Sequence, residues 1–192
     1  VTWEHGLLRD FSHAEDYVFS PGELARSSAL LKRMLGFDPL RRALGWYDQT
    51  SRRDVADIRG SFFRWLDGGE TARPFFAFMN VYDAHGPYLP PAPFDTMCGW
   101  PANAGPDERR RVRSQSLSAL FDLTPPDVVR QRDQYDGAIA EIDQDLGLLL
   151  DELRRRGVLR HTLIVLVGDH GEAFGEHRAF EHGNDTYLEE LH

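Results

Sequence analysis

Five consecutive apolar residues, Leu163 to Val167, run directly into Gly168-Asp169-His170-Gly171-Glu172. A run this short, rich in β-branched residues and unbroken by polar ones, reads as a strand covered on both faces, as in a parallel sheet. Gly168 lets the chain turn, and a carboxylate and an imidazole follow side by side. Open α/β sheets bind ligands just past the carboxyl ends of their strands. Asp169 and His170 are therefore candidate metal ligands; the competing reading is a polar loop whose Asp caps a helix. Glu176-His177 and Glu181-His182 extend the same polar stretch.

A second run has the same form. Pro74 introduces Phe75-Phe76-Ala77-Phe78-Met79-Asn80-Val81, and the chain then reads Tyr82-Asp83-Ala84-His85-Gly86-Pro87-Tyr88. Two apolar strands that each end in a His-bearing loop predict a shared site at one sheet edge. Asp169, His170, His85 and His182 are expected to converge there. Leu89-Pro90-Pro91-Ala92-Pro93 is expected to form an ordered or extended loop.

Helical scaffold is expected around these runs. Ser20-Pro21-Gly22-Glu23 has the form of a helix start, with Leu24, Leu30, Leu31 and Leu35 on one face before Gly36. Val55, Ile58, Phe62, Phe63 and Leu66 sit at helical spacing over 50–67 and end at Asp67-Gly68-Gly69. The longest pattern runs from Pro126 to Gly157, with Tyr135, Ile139, Ile142, Leu146, Leu149, Leu150 and Leu153 three or four apart. Arg154, Arg155 and Arg156 complement its C-terminal dipole. This helix feeds through a short loop into the 163–167 run, which is half of a βαβ crossover. His5, His13 and Asp16 read as surface-loop residues, 94–131 as a variable insertion, and 102–125 within it as an insertion or lid over the site.

With 192 residues and 41% hydrophobic content, the chain fits one domain or a large piece of one. Its net charge of −9 argues against a nucleic-acid partner. No apolar run is long enough to span a membrane. Cys98 is the single cysteine, which excludes an internal disulfide and a cysteine-built zinc site. It reads as a half-buried structural residue, since neither a base nor a helix N-terminus adjoins it in sequence. The compartment is left open.

The block from Tyr135 to His177, YDGAIAEIDQDLGLLLDELRRRGVLRHTLIVLVGDHGEAFGEH, resembles the core of the sulfatase family of the alkaline-phosphatase-like superfamily. FFAFMNVYDAHGPYLPP upstream and EHGNDTYLEELH at the end are similar to it as well. The resemblance is specific over 74–93 and 132–192. It implies an alkaline-phosphatase-like α/β sandwich with a mostly parallel central sheet flanked by helices, incomplete in this chain. Residues 1–192 would form part of one catalytic domain: a helical lead-in over 1–73, the strand and His loop at 74–93, the insertion at 94–131, and the helix, strand and metal-binding turn at 132–192.

The resemblance also implies chemistry. One divalent ion (Ca, Mn, Mg or Zn) is held partly by an Asp–Asn or Asp–His pair, here Asp169 and His170. His170 tilts the choice from Ca towards a transition metal. Basic residues bind the ester oxygens and protonate the leaving group, and His85 and His182 match those positions. Glu172 is expected to orient His170, and His177 to be loop or outer-shell structure. The substrate would be a small-molecule or carbohydrate sulfate ester. Two features depart from the family pattern: the Cys/Ser-x-Pro-x-Arg nucleophile motif and the N-terminal acid pair are not found. The chain therefore reads as an internal fragment, expected to be inactive and prone to associate by itself. Three functions stay open: a sulfuric ester hydrolase, a phosphoryl-transfer relative (a phosphoethanolamine or phosphoglycerol transferase, or a phosphonate or phosphate ester hydrolase), and a non-catalytic binding domain.

Overall fold

The computed structural model describes residues 10–15, 53–69, 73–86, 88–99, 125–183 and 187–188. The helix expected from Ser20 to Gly36, together with His5, Asp16 and most of the 94–131 insertion, lies outside them. The chain forms two compact units, Val1–Arg53 and Asp54–His192. In the first, Glu15 is bonded to the His13 ring at 3.2 Å and to Arg53 at 2.9 Å. The second unit carries everything that follows.

Helix α1 spans Val55–Gly68. Asp54 caps it, its carboxylate accepting from the Asp57 N–H at 2.7 Å. Helix α2 spans Pro125–Arg155. It ends in the hydrogen-bond pair that a left-handed glycine makes possible: Val158 N–H to Leu153 O and Gly157 N–H to Arg154 O, both at 3.0 Å, with Gly157 at φ 72°. The two helices enclose the main apolar cluster, Phe62 and Leu66 against Leu149 and Leu153. Burying each such side chain is worth about 1.5–3 kcal/mol. Polar ties flank the cluster. Arg59 reaches the buried Asp145 at 2.8 Å, and Arg156 bridges Glu152 and Asp67 while lying over the Phe63 ring. The buried stripe of α2 includes Gln134, Ala138, Asp145, Leu149 and Leu153. Ile139, expected on that face, is exposed, whereas its neighbour Ala138 is fully buried.

The His85 loop is fastened to α2 over Gly137. A methyl group at that position would meet Phe94 O at 2.4 Å and Pro90 Cγ at 3.2 Å. The missing side chain is what lets the 90–97 turn lie against the helix. The Gln134 amide donates to Asp95 O at 2.8 Å beside this contact.

The two apolar runs differ from their expected burial. Residues 75–81 and 163–167 have no ladder partner among the described residues. Phe76 is 75% exposed, Leu163 89% and Val167 75%. A strand covered on both faces needs neighbouring strands and two packed layers, and the described residues supply neither. The pairing present is a short antiparallel hairpin, β1 (Ala173–Phe174) with β2 (Phe180–Glu181), in the register Ala173↔Glu181 and Phe174↔Phe180.

Two glycines of α2 predict opposite outcomes. Gly137→Ala should destabilise the fold by about 1–3 kcal/mol through overpacking. Gly147→Ala, where nothing lies within 4 Å, should stabilise it by up to about 1 kcal/mol through helix propensity. Urea denaturation of the two variants checks the sign of each.

Candidate functional site

Three histidines from two distant stretches, His85 from one and His170 and His182 from the other, meet in one place. The His182 ring stacks on the His170 ring, with centroids 3.8 Å apart and planes at 29°. His85 meets His182 edge-on at 5.2 Å. Tyr82 stacks on the outer side of His85 at 4.2 Å. Asp169 adjoins this column through His170, its Oδ2 3.8 Å from His170 Nε2.

Local structure explains each position. The His85 loop opens with a tight turn, His85 N–H to Tyr82 O at 3.2 Å. Asp83, buried in that turn, accepts the Val55 N–H at 3.2 Å and so fixes the loop to the N-terminus of α1. Tyr88, Tyr135 and Phe174 pack ring against ring with centroids 5.4–5.7 Å apart. That cluster joins the His85 loop, α2 and the hairpin. The hairpin in turn sets His182. Its register, continued by one pair, puts Glu172 opposite His182, and Glu172 Oε1 lies 2.9 Å from His182 Nδ1.

The ring protons follow from the partners. A backbone carbonyl can only accept, so His85 Nδ1–H donates to Gly86 O and His170 Nδ1–H to Gly171 O, each at 2.9 Å. The Glu172 carboxylate imposes the same tautomer on His182. For His170, Nε2 is then the nitrogen that carries a lone pair for a metal, and a backbone carbonyl on Nδ1 is a common partner for a metal-bound histidine.

The donor set suits a divalent cation. Two ligand atoms about 2.1 Å from one ion lie about 3–4.2 Å apart, depending on the angle between them. The 3.8 Å between Asp169 and His170 falls inside that range. Donor atoms of His170, Glu172 and His182 also lie within 4.8 Å of one another. The Asp169 side chain is 92% exposed and open to further ligands.

One residue, Glu172, has a different partner from the one expected. Glu172 holds His182 rather than His170. Its side chain is 4% exposed, and Oε2 is buried with no hydrogen-bond partner. The negative charge is felt nearby: burial first, then Glu172 and Asp136, push the Tyr135 phenol up. His177 stands apart in a left-handed turn at φ 55° and stacks on Tyr187 at 4.1 Å. Cys98 is a free thiol whose pKa is raised by burial and by Asp136 and Asp133, which disfavours a thiolate there. The Glu172–His182 pair had a signal in the sequence: Ala-Phe recurs on either side of Gly175, at 173–174 and 179–180.

The Sulfatase family model matches residues 34–192. An arylsulfatase of Clostridium perfringens is 28% identical over 125 residues, covering 59% of this chain and 25% of its own length. A multifunctional alkaline phosphatase superfamily protein, PehA of Trinickia caryophylli, is 26% identical over 57% of the chain and 26% of its own length. A choline-sulfatase of Rhizobium meliloti is 41% identical over 56 residues, 29% of the chain and 11% of the relative. The chain thus spans about a quarter or less of these curated relatives. No solved structure matches it significantly.

Asp83 is expected to hold the first histidine in place. Asp83→Ala should cost about 1–2 kcal/mol, the usual size of a lost helix-terminus acceptor, and should shift the imidazole NMR signals of His85 while leaving those of His161 unchanged.

Proposed function

Because this chain belongs to the sulfatase family, we propose that it supplies the metal-binding turn and two acid–base imidazoles of a metal-dependent sulfuric ester hydrolase. Family membership carries the α/β fold of the alkaline-phosphatase-like superfamily. The finer architecture is part of the proposal: one catalytic domain whose mostly parallel sheet includes 75–81 and 163–167. No described helix is long and apolar enough to cross a membrane. The observation that carries the reading is the column formed by His85, His182 and His170 beside Asp169.

Asp169 and His170 would hold a divalent ion, with Mn or Zn favoured over Ca and Mg by the imidazole ligand. Bound there, the ion would supply positive charge and polarise an ester oxygen. Asp169 contributes the anionic ligand, and His170 binds through Nε2. His182 and His85 face the anionic group of the substrate. Protonated on Nε2 as well, these rings neutralise charge on its outer oxygens as it builds up in the transition state. His182, with Nδ1–H held by Glu172, takes up a second proton on Nε2 and, as the imidazolium, hands it to the departing alkoxide. The substrate class is a small-molecule or carbohydrate sulfate ester. No Cys/Ser-x-Pro-x-Arg run occurs in the 192 residues, so no nucleophile is assigned. The likeness to a multifunctional alkaline phosphatase superfamily protein keeps a phosphoryl-transfer reading as second choice.

Metal and proton roles separate by mutation. In the enzyme carrying these residues, Asp169→Ala should lower metal affinity about tenfold or more and abolish turnover with it. His182→Ala should keep the metal while turnover of an aryl sulfate falls about 10²–10⁴-fold. Elemental analysis and sulfate release measure the two. Equal metal loss in both variants would make His182 a ligand. Faster release from aryl phosphate than from aryl sulfate would favour the second reading.

A further inference from the structure

The buried carboxylate of Glu172 lies at the end of the hairpin, where strand register places it. With Ala173 opposite Glu181 and Phe174 opposite Phe180, the next pair outward is Glu172 and His182. The pair closes at 2.9 Å, with Glu172 4% exposed and His182 29% exposed. Burying a carboxylate is costly unless a donor or a cation compensates it. Among the described residues one hydrogen bond does so, to His182 Nδ1, and Oε2 has no hydrogen-bond partner. A group placed only to fill space between β1, β2 and α2 would not need a charge.

His182 is also the middle ring of the three histidines, stacked on His170 and touched edge-on by His85. A ring so placed can be misaligned in two ways: by rotation about its side-chain torsions and by exchange of its tautomer. One acceptor on Nδ1 stops both. It fixes the plane of the ring, and it keeps the proton on Nδ1, so that Nε2 is the nitrogen offered to the site.

We infer that Glu172 is a positioning residue that locks the ring plane and the Nδ1–H tautomer of His182. The inference deepens the proposed function and rests on it for the catalytic use of His182. The lock itself is a property of this chain and can be read without turnover. It also separates Glu172 from the metal: the carboxylate acts on His182, while Asp169 and His170 hold the ion.

The test is imidazole ¹⁵N NMR of the enzyme carrying these residues, without added metal, with His182 signals assigned through His182→Gln. The wild type should show a pyrrole-type Nδ1 and a pyridine-type Nε2. Glu172→Ala should move His182 towards the Nε2–H form common in free histidine. The amide signals of Phe174 and Phe180 should stay in place, which shows that the hairpin persists. Glu172→Gln, which keeps the shape, guards against misfolding of the alanine variant and should weaken the tautomer preference without changing the register. An unchanged His182 tautomer in a folded Glu172→Ala chain would overturn the inference. So would a loss of Mn²⁺ affinity as large as that of Asp169→Ala, by calorimetry with Mn²⁺ alone, because Glu172 would then be a ligand. In the enzyme carrying these residues, Glu172→Ala should lower kcat about 10–100-fold with KM little changed. A changed tautomer with unchanged kcat would leave the lock standing and remove His182 from the catalytic reading.

Discussion

The ring cluster of Tyr88, Tyr135 and Phe174 is the contact on which the site's geometry depends. Each ring comes from a different stretch: the loop after His85, the first half of α2, and the first strand of the hairpin. Tilted and edge-on aromatic pairs of this kind contribute about 0.5–1.5 kcal/mol each beyond the area they bury. The cluster therefore couples the position of His85 to that of His182, although the two are 97 positions apart. Gly137 works alongside it, since any larger residue would lift the 90–97 turn off the helix.

Within that frame one device recurs. The Nδ1 atoms of His85, His170 and His182 are engaged by Gly86 O, Gly171 O and Glu172 Oε1, all at 2.9 Å. Two of the acceptors are carbonyls of the next residue, a bond that the His-Gly sequence makes locally. The third is a buried charge brought across a hairpin. The local bonds cost little to form and tie each ring to its own loop. The long-range one ties two strands together and carries the heavier desolvation cost, so it is the one whose loss should be felt in function.

How much of this could be read from the sequence differs by element. Helix α1, α2 and the stop at Gly157 were legible because capping residues and apolar spacing act locally. The meeting of His85, His170 and His182 was anticipated because two apolar runs end in similar loops. Burial of 163–167 was not reproduced, because burial depends on neighbouring strands that a single run does not specify. The partner of Glu172 is not legible from the immediate sequence. Proximity in sequence pointed to His170, whereas the hairpin register gave the carboxylate to His182. Ile139 lies outside the buried stripe because helical spacing gives a face but not its centre, and the stripe runs through Gln134, Ala138 and Asp145 instead.

The central claim is that one cation site lies between Asp169 and His170 and serves all three imidazoles. Paramagnetic broadening by Mn²⁺ tests it most directly, because the effect falls steeply with distance from the ion. Added in substoichiometric amounts, Mn²⁺ should broaden the ring signals of His170, His182 and His85 well before that of His161, and Asp169→Ala should abolish the difference. Broadening of His161 first, or the same broadening in the Asp169→Ala variant, would contradict a cation site at this turn.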